Sequence, residues 1–205
     1  MTEQPTGIAR EPIILASTSR TRRDLLLGAG IEAEAVAPQV DERAIEREAE
    51  GLPPADLALR LAEAKARAGA TLRPGRLVIG ADQVLEEGGR VFHKPADAEA
   101  ACAQIAVLQG RTHRLLSAVA VARDGAVESF VEEARLTMRS LPGEAIARYV
   151  SLAGERAVTG SVGGYQLEGL GVHLFARIEG DHSTILGLPL LPLLARLRAL
   201  GALAF

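Results

Sequence analysis

The chain has 205 residues and a mass of 21.5 kDa, enough for one domain whose core buries roughly 70% of the surface exposed by the unfolded chain. Lysine and arginine number 23 against 26 acidic residues, a net charge of −3, which argues against a broad nucleic-acid or anionic-membrane surface and leaves only local phosphate recognition. The single cysteine excludes an intrachain disulfide and any cysteine-based zinc site, and 3% aromatic residues without tryptophan leave no stacking platform for single strands.

The first twelve residues lack a basic stretch followed by a long apolar run, and no apolar segment approaches the roughly 18 to 20 residues of a spanning helix. A soluble, cytoplasmic protein with no nucleic-acid or membrane partner is the expectation. In chain order, Ile13 to Ala16 reads as a strand leading into Ser17-Thr18-Ser19, a run of helix-capping residues, and Arg20 to Ala29 as a helix stopped at Gly30. Ala33 to Ala37 suits a second strand. Pro53 to Leu72 carries Leu57, Leu61, Ala64 and Ala68 at helical spacing, which puts Lys65 at the edge of the buried stripe. Leu77 to Ala81 reads as a buried strand ending at Asp82, and Gly88-Gly89 as the turn of a hairpin within Glu86 to Val91.

Asp97 to Leu108 follows as a helix closed by Gly110. Leu115 to Ala122 and Ala126 to Met138 are extended runs around Asp124-Gly125, the strongest hairpin signal in the chain. Glu144 to Ser151 is a predicted helix, Gly160 to Gly171 a glycine-rich stretch, Gly171 to Ile178 a strand and Leu188 to Leu200 a terminal helix. Strands mixed with helices and hairpins predict an α/β fold with a mixed sheet.

Arg20, Arg22 and Arg23 fall in the first helical turn, where the macrodipole disfavours cations by roughly 0.3 to 1 kcal/mol each. A bound anion on the backbone N–H groups after Ser17-Thr18-Ser19 would offset this, and so would simple solvation of a basic turn. Asp82, at a strand's end, is either a chemical group delivered to the sheet's edge or a turn former. Asp41-Glu42 offers two carboxylates in a loop before a helix, or simply its start. The basic residues are 21 arginines and two lysines, Lys65 and Lys94. A site that needs a compact ammonium is one reading of the two lysines, and drift among surface cations is the other. Pro95 holds the backbone at Lys94 extended.

Carboxylates for a hard cation, two lysines and an arginine-rich helix start together are the inventory of a magnesium-assisted phosphate enzyme. There is no P-loop and no dinucleotide fingerprint. His93, His113, His173 and His182 have no metal-ligand spacing and read as structural or surface residues. Cys102 reads as a small core residue, and Phe92, Tyr165 and Phe175 are core residues or candidates to stack on a base.

LASTSRTRRDLL (15 to 26), VDE (40 to 42), LRLAEAKA (59 to 66), IGADQV (79 to 84), HKP (93 to 95), GYQLEGLG and GDHSTILGLPL resemble, in order, the Maf family of nucleotide pyrophosphatases. The resemblance implies a two-lobed fold similar to inosine triphosphatases with a central cleft, a homodimer, and hydrolysis of a nucleoside triphosphate to monophosphate and pyrophosphate with a divalent cation, magnesium or manganese. By position, Asp82 would activate water as proton acceptor, with metal held between Asp82 and Glu42. Ser19, Arg22, Lys65 and Lys94 would cradle the triphosphate.

Three positions bear on substrate choice. The commoner family pattern reads Ser-Pro-Arg-Arg where this chain has Ser19-Arg20-Thr21-Arg22, threonine where it has Gln83, and Ile-Gln-Gly where it has Leu167-Glu168-Gly169. Gln83 with Glu168 is similar to the branch acting on 7-methyl-GTP, and Thr21 differs from both branches. N7-methylguanine is cationic, so a carboxylate at Glu168 would offset its charge and accept from its N1–H and 2-amino edge. A dTTP- or UTP-preferring pyrophosphatase and a noncatalytic nucleotide sensor acting in cell division remain the alternatives.

Overall fold

A computed structural model describes residues 7–205; the reading of the chain's first residues rests partly on positions 1–6, which lie outside them. The fold is α/β with a mixed seven-stranded sheet, in the order β2-β1-β3-β5-β6-β7 with β4 paired to β3. The chain divides into two compact units. The first comprises the chain through Gln83, Ser117–Glu132 and His182–Phe205, and the second Val84–Leu116 and Glu133–Asp181. No helix among the described residues is long and apolar enough to cross a membrane.

In the first unit, β1 (Ile13–Ala16) pairs in parallel with β2 (Ala33–Val36) and with β3 (Leu77–Glu87), Ile13 opposite Leu77 and Ala16 opposite Gly80. Side chains alternate across a strand, so each face has its own set. Ile13, Leu15, Leu77, Ile79 and Ala81 join Leu26 of α1 (Arg20–Gly28) and Leu193 and Leu197 of the terminal helix, α8 (Leu190–Ala199), in one buried cluster. Val119 and Val121 of β5 (Thr112–Arg123) belong to it as well.

The opposite face, Val78 and Gly80, lies under α3 (Pro54–Leu72), preceded in the chain by α2 (Glu42–Glu48). A Cβ at Gly69 would lie 2.7 Å from Val78 Cγ1 and 2.8 Å from Ala16 Cβ, and one at Gly80 would collide with the Ala62 carbonyl. This close approach decides which face of α3 is buried. Ala58, Leu61, Ala62, Lys65, Ala66 and Gly69 are buried, and Leu57, Ala64 and Ala68 are only half-buried. The predicted stripe is therefore rotated by one position, and Lys65 stands inside it rather than at its edge. Small residues win the contact because the backbones touch there.

Asp82 does not end its strand. β3 runs on to Glu87 and turns through Gly88-Gly89 into β4 (Arg90–Phe92), with Glu86 opposite Val91. The expected edge position is thus an interior one. The Asp124-Gly125 turn forms as read, with φ of 50° and 83°, between β5 and β6 (Ala126–Met138).

In the second unit α4 (Ala98–Leu108) starts one residue later than read, with Asp97 as its cap, Oδ1 accepting from Ala100 N at 2.8 Å, and α5 (Gly143–Ala153) leads to a short α6 (Glu155–Thr159) that periodicity did not reveal. The strand expected from Gly171 begins only at Phe175, as β7 (Phe175–Glu179). Leu170–Leu174 coils into a 3-10 turn because Gly171 packs directly on the backbone of Gln166, a closeness that outweighs the alternation of Val172 and Leu174. Cys102 is half-buried on α4, not a core residue.

His113, Tyr165 and Phe175 form an aromatic cluster in this unit, with the Tyr165 and Phe175 rings edge to face at 4.8 Å. His113 is fully buried, its Nε2 lies 2.6 Å from Tyr165 Oη, and its Nδ1 has no partner among the described residues. Burial pulls the His113 pKa down from 6.5 to about 4 and pushes that of Tyr165 well above its usual range. A lowered histidine pKa means that the unfolded chain takes the proton first. The stability His113 allows is complete above pH 6.5 and is lost as pH falls toward about 4, by roughly 3 kcal/mol. Urea unfolding of wild-type and His113→Phe proteins across that window checks this: the variant should lose less stability on acidification.

Candidate active site

The junction of β1 and α1 is built by serines. Ser19 caps α1, its Oγ accepting from Arg22 N at 3.4 Å, and Ser17 Oγ accepts from Ser19 N at 3.2 Å. Of the three arginines in that turn, only Arg22 is drawn inward. It donates from Nε to Gly187 O (2.8 Å) and from Nη1 to Ala81 O (2.8 Å) and Ser17 Oγ (3.4 Å). Burial lowers its pKa, and the charges of Asp82 and Glu42 oppose that shift. Arg20 is exposed beside Asp24 at 3.4 Å, an ion pair that offsets its unfavourable place at the helix start, and Arg23 is exposed.

The second element of the site is a triad of charges. Val78, Gly80 and Asp82 share the face covered by α3, so Asp82 meets Lys65: Nζ lies 2.6 Å from Asp82 Oδ1 and 2.9 Å from Glu42 Oε1. Lys65 and Asp82 are each only 8% exposed. Asp41-Glu42 is not a loop pair. Asp41 caps α2, accepting from Ala44 N at 3.0 Å, and Glu42 is its first helical residue, directed at Lys65 and favoured there by the helix dipole.

Asp82 and Glu42 thus present carboxylate oxygens to a single positive point. Among the described residues no three His, Cys, Asp or Glu side chains gather to hold a metal by themselves. Two hard oxygen donors without a full protein cage fit a magnesium-type ion, which takes one or two carboxylates and completes its shell with water and substrate phosphates.

Gln83, the next residue along β3, faces the other way. Its Nε2 donates to Ser117 Oγ (2.9 Å), Ile185 O (2.9 Å) and Thr184 O (3.2 Å). Thr21 is half-buried in the first turn of α1. Ser19, Thr21, Arg22, Glu42, Lys65, Asp82 and Gln83 all belong to the first unit. Lys94 and Glu168 belong to the second, where Lys94 is exposed after β4. Gln104 Nε2 donates to His93 O (2.9 Å) and ties down the backbone before Lys94-Pro95.

Glu168 is exposed in a turn beside a cavity of about 160 Å³ lined by Tyr149, Gln166, Gly169, Leu170 and Gly171 together with two alanines. Phe92 and Tyr165 are buried and Phe175 half-buried, so none of the three offers a free stacking face. Sequence reasoning placed Ser17 only in a run of capping residues and assigned no role to Ser117 or Gly187. The signal for Gly187 was the block Gly180 to Leu190, in which Gly180 and Gly187 both take positive φ, 121° and 87°.

The chain matches the Maf-like protein family over residues 12–200. It is 53% identical over 195 residues to a nucleoside triphosphate pyrophosphatase of Nitrobacter hamburgensis, covering 95% of this chain and 96% of that one. It is 53% identical over 196 residues to a 7-methyl-GTP pyrophosphatase of Mesorhizobium japonicum, covering 94% and 98%. The fold is α/β with carboxylates, lysine and arginine gathered about one strand, and the chain belongs to the Maf-like family.

Lys65→Met should destabilise the fold by about 3 to 5 kcal/mol, because it leaves the Asp82 carboxylate buried without its cation. The double variant Lys65→Met/Asp82→Asn should recover part of that loss. Urea unfolding of the three proteins measures both effects.

Proposed function

We propose that this protein is a nucleoside triphosphate pyrophosphatase, hydrolysing its substrate to the monophosphate and pyrophosphate. The observation that carries the reading is the Lys65 ammonium held between Asp82 and Glu42, in the unit that contains Arg22 at the start of α1. Relatives of the same family, matched over almost their whole length, carry that activity in their names.

In this reading Ser19, Arg22 and Lys65 bind the triphosphate, and the resemblance adds Lys94 from the second unit. Asp82 orients a water and takes its proton as the oxygen attacks the α-phosphorus. The bond from the α-phosphorus to the bridging oxygen breaks, and pyrophosphate leaves with the electron pair. Negative charge grows on that oxygen, and Lys65 and Arg22 neutralise it. Asp82 and Glu42 would hold magnesium or manganese, which supplies further charge neutralisation on the phosphates.

The proposed base is 7-methylguanine. Glu168 is the main support, because a carboxylate offsets a cationic base and accepts from its donor edge. The Mesorhizobium japonicum relative bears that substrate in its name. Thr21 and Gln83 contribute by identity and position, since the Gln83 amide nitrogen is already engaged with Ser117, Thr184 and Ile185. A cytoplasmic location and a homodimer belong to the same reading and rest on the resemblance alone.

The test is to incubate the protein and magnesium with 7-methyl-GTP, GTP, dTTP, UTP, CTP and ATP and to quantify pyrophosphate against orthophosphate. Pyrophosphate released fastest from 7-methyl-GTP is the expected result. Fastest release from dTTP or UTP would remove the base assignment only, and nucleotide binding without release would leave a noncatalytic sensor. Asp82→Asn should lower kcat by about 10² to 10⁴-fold while nucleotide affinity changes little.

A further inference from the structure

Asp82 and Gln83 are neighbours on β3 whose side chains leave opposite faces of the sheet. Asp82 meets Lys65, and Gln83 meets the turn after α7 (His182–Ile185). Two backbone carbonyls, Thr184 O and Ile185 O, accept from one side-chain nitrogen, which settles the amide's orientation: its oxygen could accept from neither of them. Ser117 completes the arrangement. Fully buried on β5, it accepts from Gln83 Nε2 at 2.9 Å and donates to Thr184 O at 2.7 Å, using its hydroxyl in both senses.

These bonds add to the one that closes the turn on its own backbone, Gly187 N donating to Thr184 O at 3.0 Å. They also fix the start of a turn. Two residues after Ile185 the Gly187 carbonyl accepts from Arg22 Nε at 2.8 Å, and a Cβ at Gly187 would lie 3.4 Å from Arg22 Nη2. The turn is anchored at its far end by Leu188, fully buried, and by Leu190 N donating to Ser183 Oγ at 2.9 Å. Arg22 thus leans on a turn that Gln83 and Ser117 hold.

We infer that Ser117, acting with Gln83, is a positioning residue for Arg22: the pair fixes the Thr184 to Gly187 turn, and the Gly187 carbonyl fixes the guanidinium. Neither Ser117 nor the turn need touch a substrate. The inference rests on the proposed role of Arg22 as a ligand of the triphosphate. Loss of the brace leaves Arg22 its bond to Ala81 O, so binding weakens without vanishing.

The experiment is a double-mutant cycle on the full chain, read by calorimetry with inorganic tripolyphosphate and by KM and kcat for pyrophosphate release. Ser117→Ala should weaken tripolyphosphate binding and raise KM about tenfold, with kcat within about threefold. In an Arg22→Ala background the same change should add less than about twofold, because its effect runs through Arg22. Gln83→Met, at a half-buried position, should give the same pattern if Ser117→Ala does not fold. Equal effects with and without Arg22, or a loss confined to kcat, would overturn the inference while leaving the function intact. No pyrophosphate release by the wild-type protein would instead overturn the proposed function and this inference with it.

Discussion

A lysine ammonium that is 8% exposed needs negative charge within hydrogen-bond distance, because the desolvation of an unpaired cation would cost several kcal/mol. Lys65 has Asp82 at 2.6 Å and Glu42 at 2.9 Å. Much of the first unit follows from meeting that need. α3 must lie close enough on the sheet for Lys65 to reach Asp82, which glycine at 69 and 80 permits, with Ala58, Ala62 and Ala66 buried on the same helix. α2 must begin where Glu42 can complete the pair, which Asp41 achieves by capping it.

The same arrangement gives the site its chemical character. Two carboxylates and one ammonium carry a formal net charge of −1, with Lys65 and Asp82 buried and Glu42 exposed, and in the proposed function a polyanion would draw the lysine to itself. The carboxylates would then be available to a hard cation and to a water. A structure built only for stability would do as well with apolar residues there. The cost of burying the charges is therefore an argument for their use.

Alternation along β3 distributes further roles. Asp82 faces α3, and Gln83 faces the turn after α7. Arg22 meets the strand through the Ala81 carbonyl and the turn through the Gly187 carbonyl. Adjacent residues thus serve a charge cluster and a backbone brace without competing for space. In the proposed function, base choice at position 83 would have an indirect route, since a side chain with fewer donors would hold the turn differently.

Strand and helix signals made the α/β class, most element positions and both hairpin turns readable, since capping, glycine turns and apolar runs act over a few residues. The order of motif blocks from Leu15 to Leu190 was readable through its resemblance to the Maf family. What periodicity could not decide was which of two neighbouring stripes on α3 is buried, whether β3 ends at Asp82, or that Gly171 coils rather than extends. Each depends on how near one backbone comes to another, a distance no local pattern encodes. Sequence alone determined the residue types at the site and the elements that carry them; tertiary structure alone decided that Lys65 lies between Asp82 and Glu42, and that Ser117 and Gly187 stand behind Arg22. Those contacts join residues far apart in the chain, and only the packing of helices on the sheet brings them within reach.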